Sequence, residues 1–216
     1  MQKYSFKKYQ ALSLRIWHWL NAAAILGLLG TVLIRKTLLS WRTNSVLIQQ
    51  KLEAAGTTIT PELAKEIAVA VRNPLWDWHA YLGFFLGALL IWRLCILLLV
   101  EKKGFSFRIV KDLFQLKSLP AAEKREAYHF SFVKIGYLIF YFATILMVAT
   151  GLMLNFKTDL NLSKDLAGVT KEIHEFMMWF FVVFVGGHIV GVIVAENRGD
   201  QGIVSDMING GDSRKK

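Results

Sequence analysis

Apolar residues dominate four stretches of the chain, at about Leu14–Ile34, Leu75–Val100, Phe132–Phe156 and Ile173–Ala195. Polar and largely basic segments separate them. Each stretch reaches the ~20 residues that cross a ~30 Å hydrocarbon layer as a helix. The pattern predicts an all-α fold, an integral membrane four-helix up-down bundle. The first run carries Trp17, His18 and Trp19, lacks a small-residue cleavage site and is too long for a removable signal peptide.

The connection between the first two runs, Arg35 to Asn73, is too long for a plain turn and shows helix signals. Ser45 is placed to cap a helix carrying Val46, Leu47 and Leu52 and ending near Gly56. Thr60 followed by Pro61 is a cap and first-turn pair. Leu63, Ile67, Ala70 and Val71 then form an apolar stripe at helical spacing. The expectation is a small helical extramembrane cap, with Asn73-Pro74 starting the second span as Thr60-Pro61 starts the helix before it. Between the second and third runs, Phe105 to Leu116 reads either as a basic amphipathic segment for an anionic leaflet or as an ordinary loop helix.

Hydrophobic residues make up 54% of the 216, and the formal net charge is +10. Such a charge can signal nucleic acid, but here the basic residues flank the apolar runs, which excludes that reading and makes lipid the partner. Lys3, Lys7, Lys8 and Arg15 precede the first run. Lys102, Lys103, Arg108, Lys111, Lys117, Lys124 and Arg125 separate the second and third, and Arg198, Arg214, Lys215 and Lys216 end the chain. The positive-inside rule puts these segments, and both termini, in the cytoplasm. The third connection, whose Lys157, Lys164 and Lys171 are balanced by three acids, belongs outside. The long first connection is mixed in charge and goes outside by elimination. Cys95 is the one cysteine, so an internal disulfide and any cysteine-rich metal or iron–sulfur site are excluded, and it is expected as a small buried residue.

Four of the five histidines fall within the predicted spans: His18, His79, His174 and His188. His129 is expected on a surface loop before the third span. An imidazole in hydrocarbon is costly and needs a partner. His174 and His188 are fourteen residues apart. At ~100° and 1.5 Å per residue that puts them within about 40° on one helix face and about 21 Å apart along it. One ion cannot bind both. With the predicted topology, depth pairs His18 with His188 toward the cytoplasm and His79 with His174 toward the outside. Two histidines from two helices at each level meet the requirement for bis-histidine haem ligation. Zinc or non-haem iron would want more ligands. The alternative is four structural histidines bonded to a carbonyl or hydroxyl. Gly27, Gly30, Gly83, Gly87, Gly151, Gly186, Gly187 and Gly191 either leave room for a flat macrocycle or pack helices closely. Arg93 and Arg15 either snorkel or pair with a haem propionate of the His18/His188 site. Trp17, Trp19, Trp76 and Trp78 read as an interfacial belt.

RIWHWLNA, DWHAYLG, the pair IHEF and GGHIVG, and the tail ENRGDQGIVSDMINGG resemble the bacterial cytochrome b561 family over nearly the whole chain. Its relatives include the b-type cytochrome subunits of nickel–iron hydrogenases and formate dehydrogenases. The resemblance implies a bundle holding two b-type haems, one on His18 and His188 and one on His79 and His174. It also implies quinone as the redox substrate and a bacterial inner-membrane location. Three functions stay open: a free-standing cytochrome exchanging electrons with quinone; a membrane-anchor subunit whose redox partner docks outside, on the 35–73 connection; and a haem-free structural or carrier protein.

Overall fold

The computed structural model describes residues 11–99, 121–198 and 203–210. It is 87% helical, and no strand occurs among the described residues. Hydrocarbon offers backbone amides no partner, so a spanning segment has to satisfy its own, and a helix does so. The helices are α1 (Leu12–Lys36), α2 (Trp41–Ala54), α3 (Pro61–Arg72), α4 (Pro74–Leu99), α5 (Ala121–Asn155), α6 (Lys164–Arg198) and α7 (Ile203–Asn209). α1, α4, α5 and α6 are long and apolar enough to cross a membrane. The all-α architecture with four spans is the one the hydropathy pattern predicts.

Two spans begin earlier than the apolar runs. α5 starts at Ala121 rather than Phe132. The segment AAEKREAYHF holds no breaker and is rich in strong helix formers, so the helix continues past the hydrocarbon limit. His129 therefore lies within a helix and not on a loop. α6 starts at Lys164, where the Ser163 hydroxyl accepts from the Leu166 amide at 3.2 Å. The turn before it uses Asn161 at φ 47, a residue type that tolerates left-handed backbone. Phe105–Leu116, with the rest of residues 100–120, and the outermost basic residues of both termini lie outside the described residues, whereas Lys124 and Arg125 of the 2–3 connection fall in the first turns of α5.

The chain forms two compact units, residues 21–87 and the remainder. In the first, α2 packs on α3 through the turn at Gly56, whose φ of +80 suits glycine. Thr60 caps α3 as its sequence predicts, its Oγ1 accepting from the Leu63 amide at 3.2 Å, with Pro61 in the first turn. Ser45 is not a cap. α2 begins at Trp41 after Ser40, and the Ser45 hydroxyl bonds back to the Arg42 carbonyl inside the helix. Asn73 also departs from expectation. Its backbone is right-handed helical and its amide donates to Val69 and Ala70, so the chain passes from α3 into α4 with scarcely a break. Ala64 and Ala68 are the buried face of α3, while Leu63, Ile67 and Val71 are exposed.

In the second unit α5 packs on α6, and α7 folds back on α6. Phe140 meets Phe181 and Phe184 across the α5–α6 contact, with centroids 6.1 and 5.1 Å apart. Cys95 is exposed on α4, not buried. Many large apolar side chains on the spans are likewise exposed. A helix that shows apolar residues around its whole circumference belongs in lipid.

Candidate functional site

His18 lies two turns into α1, and His188 lies on α6 within the same unit. Their ring centroids are 6.2 Å apart with planes at 55°. Two imidazoles on one metal, with bonds of about 2.0 Å and about 1.1 Å from nitrogen to ring centre, have centres about 6 Å apart. The observed separation fits one ion between the rings. Nδ1 of His18 is buried and has no hydrogen-bond partner. The surroundings are aromatic: Trp19 stands edge-on to His18 at 5.2 Å, and Phe184 lies parallel to His188 at 6.2 Å. A Cβ added at Gly187 or Gly191 would meet nothing within 4 Å, so these two glycines leave open space beside His188 and do not pack helices tightly.

Along α6 the positions 174, 177, 181, 184 and 188 follow one another by three or four residues, which keeps them on one face. Met177 and Phe181 on that face are buried. The two histidines of α6 thus share a face and sit at different depths. His174 meets the neighbouring helix at Thr150 of α5, Nδ1 to Oγ1 at 2.9 Å. A Cβ at Gly151 would come within 3.2 Å of His174 Cε1, so glycine there makes room for the ring. His79 belongs to the other unit, where its Nδ1 lies 2.8 Å from Oγ1 of Thr31 on α1 and Trp76 flanks its ring at 5.2 Å. Thr31 and Thr150 escaped the sequence reading. A threonine inside an apolar run usually bonds its own helix, and nothing in its spacing points to an imidazole.

A profile of prokaryotic cytochrome b561 matches residues 9–210. The chain belongs to the prokaryotic cytochrome b561 family. Comparison with curated proteins and with solved structures gave no match. Membership of this family, with four spanning helices, makes the chain a multi-pass membrane protein and a b-type cytochrome of electron transfer. The family binds b-type haem.

In this b561-family chain the two candidate arginines are both engaged. Arg93 is buried, and its Nε donates to the Tyr141 hydroxyl at 3.1 Å. Its guanidinium lies 5.8 Å from the ring centre of Trp17, the residue before His18. Burial replaces the snorkelling alternative. Arg15 reaches the last turn of α7, where its Nη1 donates to the Ile208 carbonyl at 2.6 Å. Trp19 Nε1 donates to the adjacent Met207 carbonyl at 3.0 Å. The final carbonyls of a helix lack internal partners, and these two side chains supply them. Gly210, at φ +85, lets the chain turn beneath the Arg15 guanidinium, 3.2 Å from where a Cβ would stand. The tail motif, which follows His188 closely in sequence, is thereby tied to the residues flanking His18. Trp17 also departs from the belt reading, since it is buried and donates to the Leu89 carbonyl at 2.9 Å.

Proposed function

We propose that the protein is a dihaem cytochrome that exchanges electrons with the quinone pool of a bacterial inner membrane. His18 and His188 would hold the haem nearer the cytoplasm, and His79 and His174 the haem nearer the outside, with both termini cytoplasmic. Bis-histidine b-type haem supplies one-electron transfer and leaves no open position for oxygen chemistry. The observation that carries the reading is the 6.2 Å approach of the His18 and His188 rings. The glycines beside His188 leave space for a macrocycle, and Arg93 and Arg15 put positive charge on the helices that flank His18, as propionates require.

A pyridine haemochrome assay with protein quantification tests this directly, and two b-type haems per chain are expected. His188→Ala removes mainly one haem and His174→Ala mainly the other, since the two positions are about 21 Å apart on one helix. A colourless protein from haem-replete cells, or loss of both haems from either variant with the fold intact, refutes the two-site reading. A second reading, the anchor subunit of a larger redox complex, is favoured by the Leu63, Ile67 and Val71 stripe, which α3 leaves exposed at 45%, 37% and 60%. Co-purification of a hydrogenase- or dehydrogenase-type subunit that is lost when these residues become polar would support it.

A further inference from the structure

Both histidines assigned to the outer level bond through Nδ1 to a threonine whose own proton is already committed. Thr31 donates to the Leu28 carbonyl at 2.7 Å. Thr150 donates to the Leu146 carbonyl at 2.8 Å, with Met147 at 3.1 Å as an alternative acceptor. A hydroxyl has one hydrogen and two lone pairs. With that hydrogen held by a carbonyl of the same helix, Oγ1 can only accept. The proton in each Thr–His contact therefore sits on Nδ1 of His79 and of His174. A neutral imidazole protonated at Nδ1 keeps its lone pair on Nε2, the form that binds a metal. The other tautomer would aim an N–H at the ion.

The arrangement occurs twice, independently, once in each compact unit. Thr31 on α1 serves α4, and Thr150 on α5 serves α6. Both threonines are buried, so water does not compete for the bond. His18 has no counterpart, since its buried Nδ1 is unpartnered.

We infer that Thr31 and Thr150 are positioning residues for one haem: each fixes its histidine as the Nδ1–H tautomer, presents Nε2 as the ligand, and by accepting from Nδ1 strengthens the imidazole as a donor. This rests on the proposed reading that His79 and His174 are haem ligands. Outer hydrogen-bond partners of ligating histidines orient the ring and raise its basicity. A stronger donor favours the ferric state, so removing the acceptor raises the reduction potential of that haem. Valine keeps the shape of threonine and removes the acceptor, whereas serine keeps the acceptor.

The test uses the full-length membrane protein with Thr31→Val, Thr150→Val and the matching serine variants. Haem content is measured by pyridine haemochrome, potentials by optical redox titration, and ligand fields by electron paramagnetic resonance of the ferric haems. Each valine variant should shift the same one of the two haems upward, by up to about tenfold in its redox equilibrium, which is about 59 mV for one electron. The other haem should not move, and serine should restore the wild-type value. Loss of that haem in the valine variants with retention in the serine variants supports the inference equally. Unchanged potentials and spectra in both valine variants overturn it, as does an equal shift or loss with serine, or a shift confined to the haem that His188→Ala removes. A wild-type protein without haem instead defeats the ligand reading itself, which separates the two failures.

Discussion

Adding one methyl at Gly151 should damage one haem site and leave the rest of the protein almost untouched. The new Cβ would stand 3.2 Å from His174 Cε1 and 3.8 Å from Nδ1. Carbon atoms in contact prefer about 3.5–4.0 Å, so the ring has to retreat by about 0.3–0.8 Å. It is not free to do so, because Nδ1 is held 2.9 Å from Thr150. A bond lengthened by that amount reaches or passes the ~3.2 Å limit of a good N–H···O contact. Overpacking of this kind costs about 1–3 kcal/mol. Against it, alanine favours a helix over glycine by about 1 kcal/mol. The net change in fold stability is therefore small, between about zero and 2 kcal/mol. The strain, however, falls on the ring that the proposed reading gives to iron. At 1.4 kcal/mol per tenfold, haem affinity at that site should drop by about 5- to 140-fold. Gly136→Ala on the same helix is the control, because a Cβ there meets nothing within 4 Å and should only stabilise. Haem content per chain and optical spectra, with thermal unfolding in detergent, decide the matter. A Gly151→Ala protein with both haems and unchanged midpoints refutes the reasoning, and so does a Gly136→Ala protein equally damaged.

Other changes probe the remaining contacts. Trp19→Phe removes the indole donor to Met207 and should speed hydrogen exchange across residues 203–209, measured by mass spectrometry, without loss of haem. Arg15→Ala should do the same through the Ile208 carbonyl; if the propionate role holds as well, it also destabilises the haem that His188→Ala removes, which the optical spectrum reports. Thr60→Ala removes the α3 cap at a cost of about 1 kcal/mol, read as faster exchange of the first α3 amides. Gly210→Ala combines a left-handed φ of +85 with a contact on Arg15 and should release α7 more completely than either side-chain variant, again by exchange.

The spans were legible because apolar runs long enough to cross a bilayer leave few other solutions. Thr60-Pro61 was legible because cap and first-turn chemistry are local. What escaped depends on more than local chemistry. Ser45 has the side chain of a cap, yet α2 had already begun at Trp41, and nothing near Ser45 in sequence records that. The polar first turns of α5 and α6 carry no hydropathy signal, though the helix continues through them. The His18–His188 approach followed from counting helix directions, since an up-down order fixes which ends meet. Arg15 and Trp19 meeting Ile208 and Met207 did not, because almost the full length of the chain separates the partners.

Under the proposed reading all four axial ligands are imidazoles, so any difference between the two haems must come from what surrounds those rings. The levers are hydrogen bonding, burial and nearby charge. At His18 and His188 the neighbours are Trp19 and Phe184, which offer no acceptor to a ring nitrogen, and Arg93 places a cation close to Trp17. At His79 and His174 the neighbours are hydroxyls that accept. An apolar, cation-flanked setting disfavours the extra positive charge of ferric iron, and an accepting hydroxyl favours it. Both differences point the same way, so the His18/His188 haem should have the higher potential of the two. In the proposed orientation that ordering would draw electrons from the outer level toward the cytoplasmic one. Because an electron crossing the full membrane against 100 mV costs about 2.3 kcal/mol, a potential gap of this sign would help offset the field.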